Sequence, residues 1–211
     1  MQVQARRAQD VLDFWFGDDP LVPAEIPQRI RLWFGGDDPP EIRELRDDDM
    51  AQRFSPLLRQ AAAGELDEWA GSPHRLLALV LLLDQIPRNV YRGTARAFQQ
   101  DDKALELAQE GMRTGADCAL SPIQRVFLYM PLQHSESTDV QEESVAAFRG
   151  LLQEVPDKHR PVFEGCLDFA ELHQKIVQRF GRFPHRNHVL GRSSSEAEQS
   201  YLDDEGETFG Q

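Results

Sequence analysis

The chain has 211 residues, of which 40% are hydrophobic, 9% aromatic and 28% charged, too apolar and aromatic a composition for intrinsic disorder. Its formal net charge of −13 disfavours binding to nucleic acid or to an anionic membrane surface, since phosphate binding needs a basic footprint. Only two cysteines occur, and they form no CxxC pair, which excludes a disulfide framework and fits a reducing compartment. No run of residues resembles a signal peptide or approaches the roughly 20 apolar residues that span a bilayer, so we expect a cytoplasmic protein.

Helix-forming residues dominate the chain, and period-two alternation never extends beyond four residues, which predicts an all-α protein. The first helix should cover about residues 3–16 and end at Gly17, a residue suited to a left-handed position. A short helix should follow Pro27 and end at Gly35-Gly36. The next helix should run from about residue 41 to 63 and break at Ser55-Pro56. Its expected inner side consists of Ile42, Leu45, Phe54, Leu57 and Leu58.

The next helix signal is Ser72-Pro73, an N-cap followed by proline in the first helical position. The helix that it opens is apolar on every side up to Leu83 and should be central and buried. Ser121-Pro122 repeats this signal before a helix that Pro131 should stop or kink near Met130. The remaining predicted helices cover about residues 101–113, 137–153, 161–180 and 195–202.

We expect these helices to form a single domain over residues 1–211, with an acidic, frayed tail at about 203–211. Two internal echoes support stacked antiparallel hairpins, in a tetratricopeptide-like array or a compact bundle. The first pairs Trp15-Phe16-Gly17 with Trp33-Phe34-Gly35, and the second pairs residues 86–89 (IPRN) with residues 183–187 (FPHRN).

Three segments place polar groups where a simple helix would not. In the first, residues 83–96, Asp84 and Gln85 end an all-leucine run and should be partly buried. A buried carboxylate needs a partner, which Arg88, Arg92 or Arg96 could supply. Taken alone, the segment fits a structural ion pair that fixes a turn better than it fits a functional site.

The second segment, residues 127–136, contains Pro131 followed by His134, Ser135 and Glu136. Because proline has no N–H, the carbonyl of Phe127 should be left without its helical partner. Histidine and glutamate can perform acid–base chemistry, but neighbours in sequence do not make a triad, and Ser135 could simply cap the next helix.

The third segment, residues 179–192, holds four arginines and two histidines without one acid. Such a basic stretch in an acidic chain either neutralises buried carboxylates or attracts a small anion. His185 and His188 have HxxH spacing, but they follow a proline without an HExxH frame, so the sequence predicts no metal site. His173 lies on the apolar stripe of the longest helix, where a hydrogen-bonded core histidine is the usual role.

With the opening residues 11–17 (VLDFWFG), these segments resemble the bacterial domain of unknown function 924 family. The motifs that carry the resemblance are DQIPRNVYRGTARAF, FLYMPLQHSE and RFGRFPHRNHVLGR, and the likeness runs from about residue 8 to 209. The resemblance implies an all-helical, tetratricopeptide-like fold and brings no established activity. Gly35-Gly36 and Gln133 depart slightly from the family's pattern.

Three functions remain open on the sequence alone. The first is a small-ligand protein, with hydrolytic acid–base chemistry as an open option, whose site lies where the three segments meet. Its anion-binding residues would be Arg88, Arg96, Arg182 and Arg186, with Asp84, Asn89, His173 and Asn187 as further ligand-binding candidates. His134, Glu136 and His185 are the candidate catalytic residues, and no cofactor is identified.

The second function is a tetratricopeptide-like interaction module that binds a peptide through Trp15, Trp33 and Trp69 and catalyses nothing. The third is a structural role in which the segments tie helix ends together and the chain acts as a homo-oligomer. An enclosed polar pocket would favour the first function, and an open groove would favour the second.

Overall fold

The structure is a computed structural model that describes residues 2–18, 21, 26–34, 38–204, 206 and 209. These residues form α-helices joined by short 3₁₀ turns and contain no strand, so the predicted all-α class is confirmed as a packed helical bundle. The helices are α1 (Gln2–Phe16), α2 (Ile26–Phe34), α3 (Pro40–Ala62), α4 (Pro73–Val80), α5 (Ile86–Val90), α6 (Asp101–Arg113), α7 (Pro122–Gln133), α8 (Thr138–Glu154), α9 (Arg160–Phe180) and α10 (Glu196–Asp204).

Helix α4 lies at the centre of the bundle. It packs against α1, α6 and α7, while α7, α8 and α9 follow one another as antiparallel neighbours. Every residue from Leu76 to Leu83 is buried, as the apolar run predicts, because a helix that is hydrophobic all round must be enclosed. None of the helices in the described ranges combines the length and apolar character needed to cross a bilayer.

Two prolines do not act as the sequence predicts. Helix α3 continues through Pro56 and α7 continues through Pro131, so the expected break at Pro56 and the expected stop at Pro131 are wrong, while the kink expected as the alternative at Pro131 stays a prediction. Tertiary packing on the flanking residues compensates for one lost hydrogen bond at each proline. The exposed fractions of Ile42 (49%) and Leu45 (66%) are also larger than expected, because α3 first reaches the core at Met50.

Helix ends agree better with the sequence. Gly17 (φ 64°) and Gly181 (φ 70°) adopt left-handed conformations after α1 and α9, which glycine allows without a steric cost. Ser121 forms a reciprocal capping box with Gln124, whereas Ser72 makes no side-chain cap bond. The predicted end of α2 at Gly35-Gly36 and most of the acidic tail lie outside the described residues.

The three tryptophans proposed as peptide anchors are all buried, with exposed fractions of 0% for Trp15, 6% for Trp33 and 0% for Trp69. Trp33 donates a hydrogen bond from Nε1 to the Trp15 carbonyl at 2.9 Å, and both rings contact Phe127 edge-on. They are core residues, so their assignment as surface anchors is wrong.

Gly111 marks a close approach between α6 and α4. A Cβ atom at this buried position would lie 2.8 Å from Leu76 Cδ2, whereas a Cβ at Gly150 in α8 would meet no atom within 4 Å. We expect Gly150→Ala to raise the free energy of unfolding by about 0.5–1 kcal/mol, through helix propensity. We expect Gly111→Val to lower it by about 1–3 kcal/mol, through overpacking. Urea denaturation measures both, and equal effects of the two substitutions would contradict the packing described.

Candidate functional site

A single π-helical turn, Leu81–Gln85, links α4 to α5. The N–H of Ile86 bonds the carbonyl of Leu81, five residues back. Pro87 follows directly. In a regular α-helix its ring would clash with the carbonyl oxygen four residues earlier, and the wider π-helical turn relieves that clash. π-turns inside helices occur frequently at functional sites, and this one carries Asp84 and Gln85.

Asp84 is completely buried, and its carboxylate accepts three side-chain hydrogen bonds. The donors are Gln85 Nε2 at 2.5 Å, Arg88 Nη2 at 3.0 Å and His134 Nδ1 at 2.7 Å. Burial alone would raise the pKa of Asp84, but the charges and hydrogen bonds of these neighbours outweigh burial and hold the pKa well below its usual range. Asp84 is therefore an ionised acceptor.

His134, on the last turn of α7, completes an Asp–His pair with Asp84. Because the Asp84 carboxylate is ionised, His134 Nδ1 must be the protonated donor of the bond between them. Burial and the charge of Arg88 lower the pKa of His134, and the opposing effect of Asp84 is smaller. The imidazole is therefore neutral near pH 7 and keeps a lone pair on Nε2, which is the state of a general base.

Gln141, which the sequence analysis missed, holds the backbone around His134. Its side chain has an exposed fraction of 0%, and Nε2 donates to the carbonyls of Gln133 and Ser135 at 2.7 Å each. These two residues flank His134. A buried amide that binds both neighbours of a histidine fixes the position of its Cα, and nothing in the helical spacing of α8 distinguishes this glutamine.

One arginine from each of the two similar motifs, IPRN and FPHRN, binds the carboxylate of Asp101. Asp101, at the start of α6, accepts from Arg88 Nη2 at 2.9 Å and from Arg186 Nη1 at 3.3 Å. Both guanidinium groups also lie over the ring of Phe98. Burial, together with the charge of Arg88, lowers the pKa of Arg186 to about 10. With Asp84, the cluster contains two carboxylates and two guanidiniums, so its formal charges balance.

Glu136 connects the second and third segments. It accepts from Arg192 Nη1 at 2.7 Å and from the backbone N–H of Phe183 at 2.8 Å. Burial would raise the pKa of Glu136, but the bonds to Arg192 and Phe183 lower it below its usual value. The three motif segments thus converge in space, through Asp84 with His134, Arg88 with Arg186 by way of Asp101, and Glu136 with Arg192.

Four other candidate residues take no part in these three contacts between segments. Arg182 forms a two-point ion pair with Glu198 at 2.6 and 2.8 Å. Asn187 is buried and donates to Ser194 Oγ at 3.1 Å. Arg96 lies 3.9 Å from the centre of the Tyr91 ring, and Asn89 donates to the carbonyl of Gln85 at 3.1 Å.

Two cavities border the convergence, and His134 lies in the walls of both. The larger has a volume of about 790 Å³, and its described wall is mostly apolar. Its polar lining residues are Gln85, Arg88, Asn89, Arg92, Gln133, His134 and His173, and its aromatic lining residues are Trp33, Phe34, Phe127, Phe169 and Phe209.

The smaller cavity has a volume of about 550 Å³ and is lined by residues from all three segments and from α6. Its charged lining consists of Arg96, Arg186, Asp101, Asp102 and Glu136. Arg182, His185 and Asn187 line neither cavity. The described residues contain no cluster of three or more histidine, cysteine, aspartate or glutamate side chains that could hold a metal ion.

His173 and His185 form an uncharged layer beside His134. The ring centroids of His134 and His173 lie 6.1 Å apart, and Phe209 stacks on His173 at 4.2 Å. Burial lowers the pKa of His173 to about 3 and that of His185 to about 2. His173 Nδ1 therefore donates to the carbonyl of Phe169 at 2.7 Å while the ring stays neutral.

This burial predicts an acid sensitivity. The folded pKa of His173, about 3, lies below the unfolded value of 6.5, so the unfolded chain binds the proton first and stability falls as the pH drops below 6.5. By pH 5 the loss is about 2 kcal/mol. We expect His173→Gln to reduce the fall in Tm between pH 7.5 and 5 by roughly 4–8 °C.

Thermal melts at the two pH values measure this effect. His188→Gln is the matched control, since His188 is exposed and its replacement should leave the pH dependence unchanged. An unchanged pH dependence in His173→Gln would show that the histidine is protonated in the folded protein.

Comparison with other proteins agrees with this architecture. A solved structure of a protein of unknown function, ATU0120 from Agrobacterium tumefaciens, matches with 36% identity and a TM-score of 0.75, over 95% of this chain and 99% of that one. The comparison with curated proteins gave no match. The model of a bacterial protein family of unknown function, DUF924, matches residues 11–206, and the chain therefore belongs to that family.

Proposed function

We propose that the protein binds a small amphipathic carboxylate in the larger cavity. The observation that carries this proposal is that one cavity is lined both by aromatic side chains and by two arginines, without an acid among its described lining residues. Small-molecule sites commonly have volumes of about 300–1,000 Å³ and an apolar lining with a few convergent polar groups. A volume of about 790 Å³ lies within that range.

The two arginines that line the larger cavity favour a carboxylate head group. Arg88 and Arg92 both contribute to the described wall, which contains no acid. The carboxylates paired with them are Asp84 and Asp101 for Arg88 and Asp47 for Arg92, and none of the three lines this cavity. A ligand in the cavity would therefore meet the guanidinium groups before the carboxylates, and guanidinium is the side-chain group best suited to bind a carboxylate.

The aromatic residues that line the larger cavity favour a ligand with a hydrocarbon chain. Phe34 and Phe169 are half exposed, at 50% and 54%, and both line the cavity. Exposed aromatic side chains at a cavity mouth lose unfavourable contact with water when an apolar ligand covers them. A carboxylate with a straight chain of about eight carbons combines the two requirements.

An interaction module without a ligand is the weaker alternative. Such a module needs exposed groove residues to contact its partner, whereas the unusual polar residues of this chain converge inside the bundle and its tryptophans are buried. A cavity next to a neutral, positioned histidine is a feature that a peptide-binding groove does not require.

The experiment is a thermal-shift titration with octanoate. A ligand at 100 times its Kd adds about 2.7 kcal/mol to the free energy of unfolding, which raises Tm by roughly 5–11 °C for a chain of this size. Gly165 lines the larger cavity and its Cβ direction is open, so Gly165→Leu should fill the site without a backbone clash and abolish the shift.

Gly150→Leu is the matched control. Gly150 also lies in a helix with an open Cβ direction but lines neither cavity, so the shift should survive there. Octanol serves as the second control, since it has the hydrocarbon body without the charge and should bind more weakly. An octanoate shift that persists in Gly165→Leu, or no shift in the native chain, would overturn the proposal.

A further inference from the structure

We propose that the protein hydrolyses amides that join an apolar carboxylic acid to a small, positively charged amine, with His134 as the general base. This inference rests on the proposed carboxylate site in the larger cavity. It adds a function for the smaller cavity, which the carboxylate site alone does not use, and it names the substrate class.

The first supporting observation is the position of His134. Its ring lies in the walls of both cavities, and Nδ1 is held by Asp84 at 2.7 Å. A substrate that occupies both cavities would therefore have its central bond beside this histidine. His134 is the one described residue that lines both cavities. This arrangement favours a substrate whose two chemically different halves would each occupy one cavity.

The second observation is the opposite charge of the two linings. The described wall of the larger cavity has two arginines and no acid. The smaller has two arginines and three acids. Asp101 and Glu136 are each paired with arginines, and the exposed Asp102 supplies the negative charge of this cavity. Cleavage of an amide releases a carboxylate and an amine, and each product would lie in the cavity whose sign attracts it.

The reaction balances with water as the second reactant. His134 Nε2 takes a proton from water while the water oxygen bonds to the amide carbon. The positive charges of Arg88 and Arg92 would stabilise the negative charge that develops on the carbonyl oxygen. Collapse of this intermediate breaks the C–N bond, and the protonated His134 returns the proton to the leaving nitrogen, which gives a carboxylic acid and an amine.

Water fits the role of nucleophile better than Ser135 does. Ser135 adjoins His134 and lines the smaller cavity, but its Oγ accepts the backbone N–H of Ser137 at 3.2 Å. The structure gives it no hydrogen bond to His134 among the described residues. An activated serine needs direct contact with its base, so direct hydrolysis requires fewer changes in this geometry.

The test uses N-octanoyl-1,2-diaminoethane, whose polar half is cationic, and N-octanoylglycine, whose polar half is anionic. Release of octanoate is followed by liquid chromatography. The native chain should cleave the cationic amide at least tenfold faster than the anionic one. His134→Gln should reduce this rate by about 10²–10⁴-fold, the range for loss of a general base.

Asp102→Asn tests the smaller cavity without altering His134. Asp102 is exposed, lies in the first turn of α6 and lines this cavity. Removal of its negative charge should lower the ratio of the cationic to the anionic cleavage rate by several-fold. Asp139→Asn is the matched control, because Asp139 is an exposed acid in the first turn of α8 that lines neither cavity.

The outcomes separate the two proposals. Octanoate binding without cleavage of either amide would overturn the hydrolase and leave the carboxylate site intact. Cleavage that persists in His134→Gln, or an equal preference for the two amides in the native chain, would also overturn it. Absence of octanoate binding would overturn the carboxylate site on which the inference rests.

Discussion

The buried carboxylate of Asp84 is the constraint around which the rest of the site is built. An ionised group without solvent contact costs several kcal/mol unless charged or hydrogen-bonded partners compensate for it. Its three donors come from the next residue, from one helical turn later and from 50 residues later. Satisfying this one group therefore ties α7 to the junction of α4 and α5, and it determines where His134 lies.

Arg88 and Arg186 bind the carboxylates of this cluster with a geometry that lysine does not offer. Arg88 Nη2 donates to both Asp84 and Asp101, and Arg186 reaches the second oxygen of Asp101. A guanidinium presents several donors in one plane and also stacks on aromatic rings, as both groups do on Phe98. The chain has 20 arginines and three lysines, and this excess of arginine has a local structural use at Asp84 and Asp101.

The sequence predicts helices and the need for a partner at Asp84 because both follow from local pattern and burial. It does not predict that α3 and α7 pass through their prolines, since the compensating contacts come from elsewhere in the chain. Nor does it separate Arg182 from Arg186, which lie four residues apart in one basic segment. Only the path of the backbone directs the first to Glu198 and the second to Asp101. Gln141 escapes prediction because its partners are carbonyl groups, which every residue has.

Burial and the charge of Arg88 together decide what kind of pair Asp84 and His134 form. With the carboxylate alone as neighbour, the pKa of His134 would rise and the two groups would form a buried ion pair with both ring nitrogens protonated. Burial and the positive charge of Arg88 act in the opposite direction and lower that pKa, while the same charge helps to keep Asp84 ionised. The carboxylate can then orient the imidazole through Nδ1 without charging it. A structural salt bridge would need only attraction between the two groups. Burial, with the positive charge of Arg88 beside it, instead keeps the histidine neutral, which is the state that proton transfer at Nε2 would require.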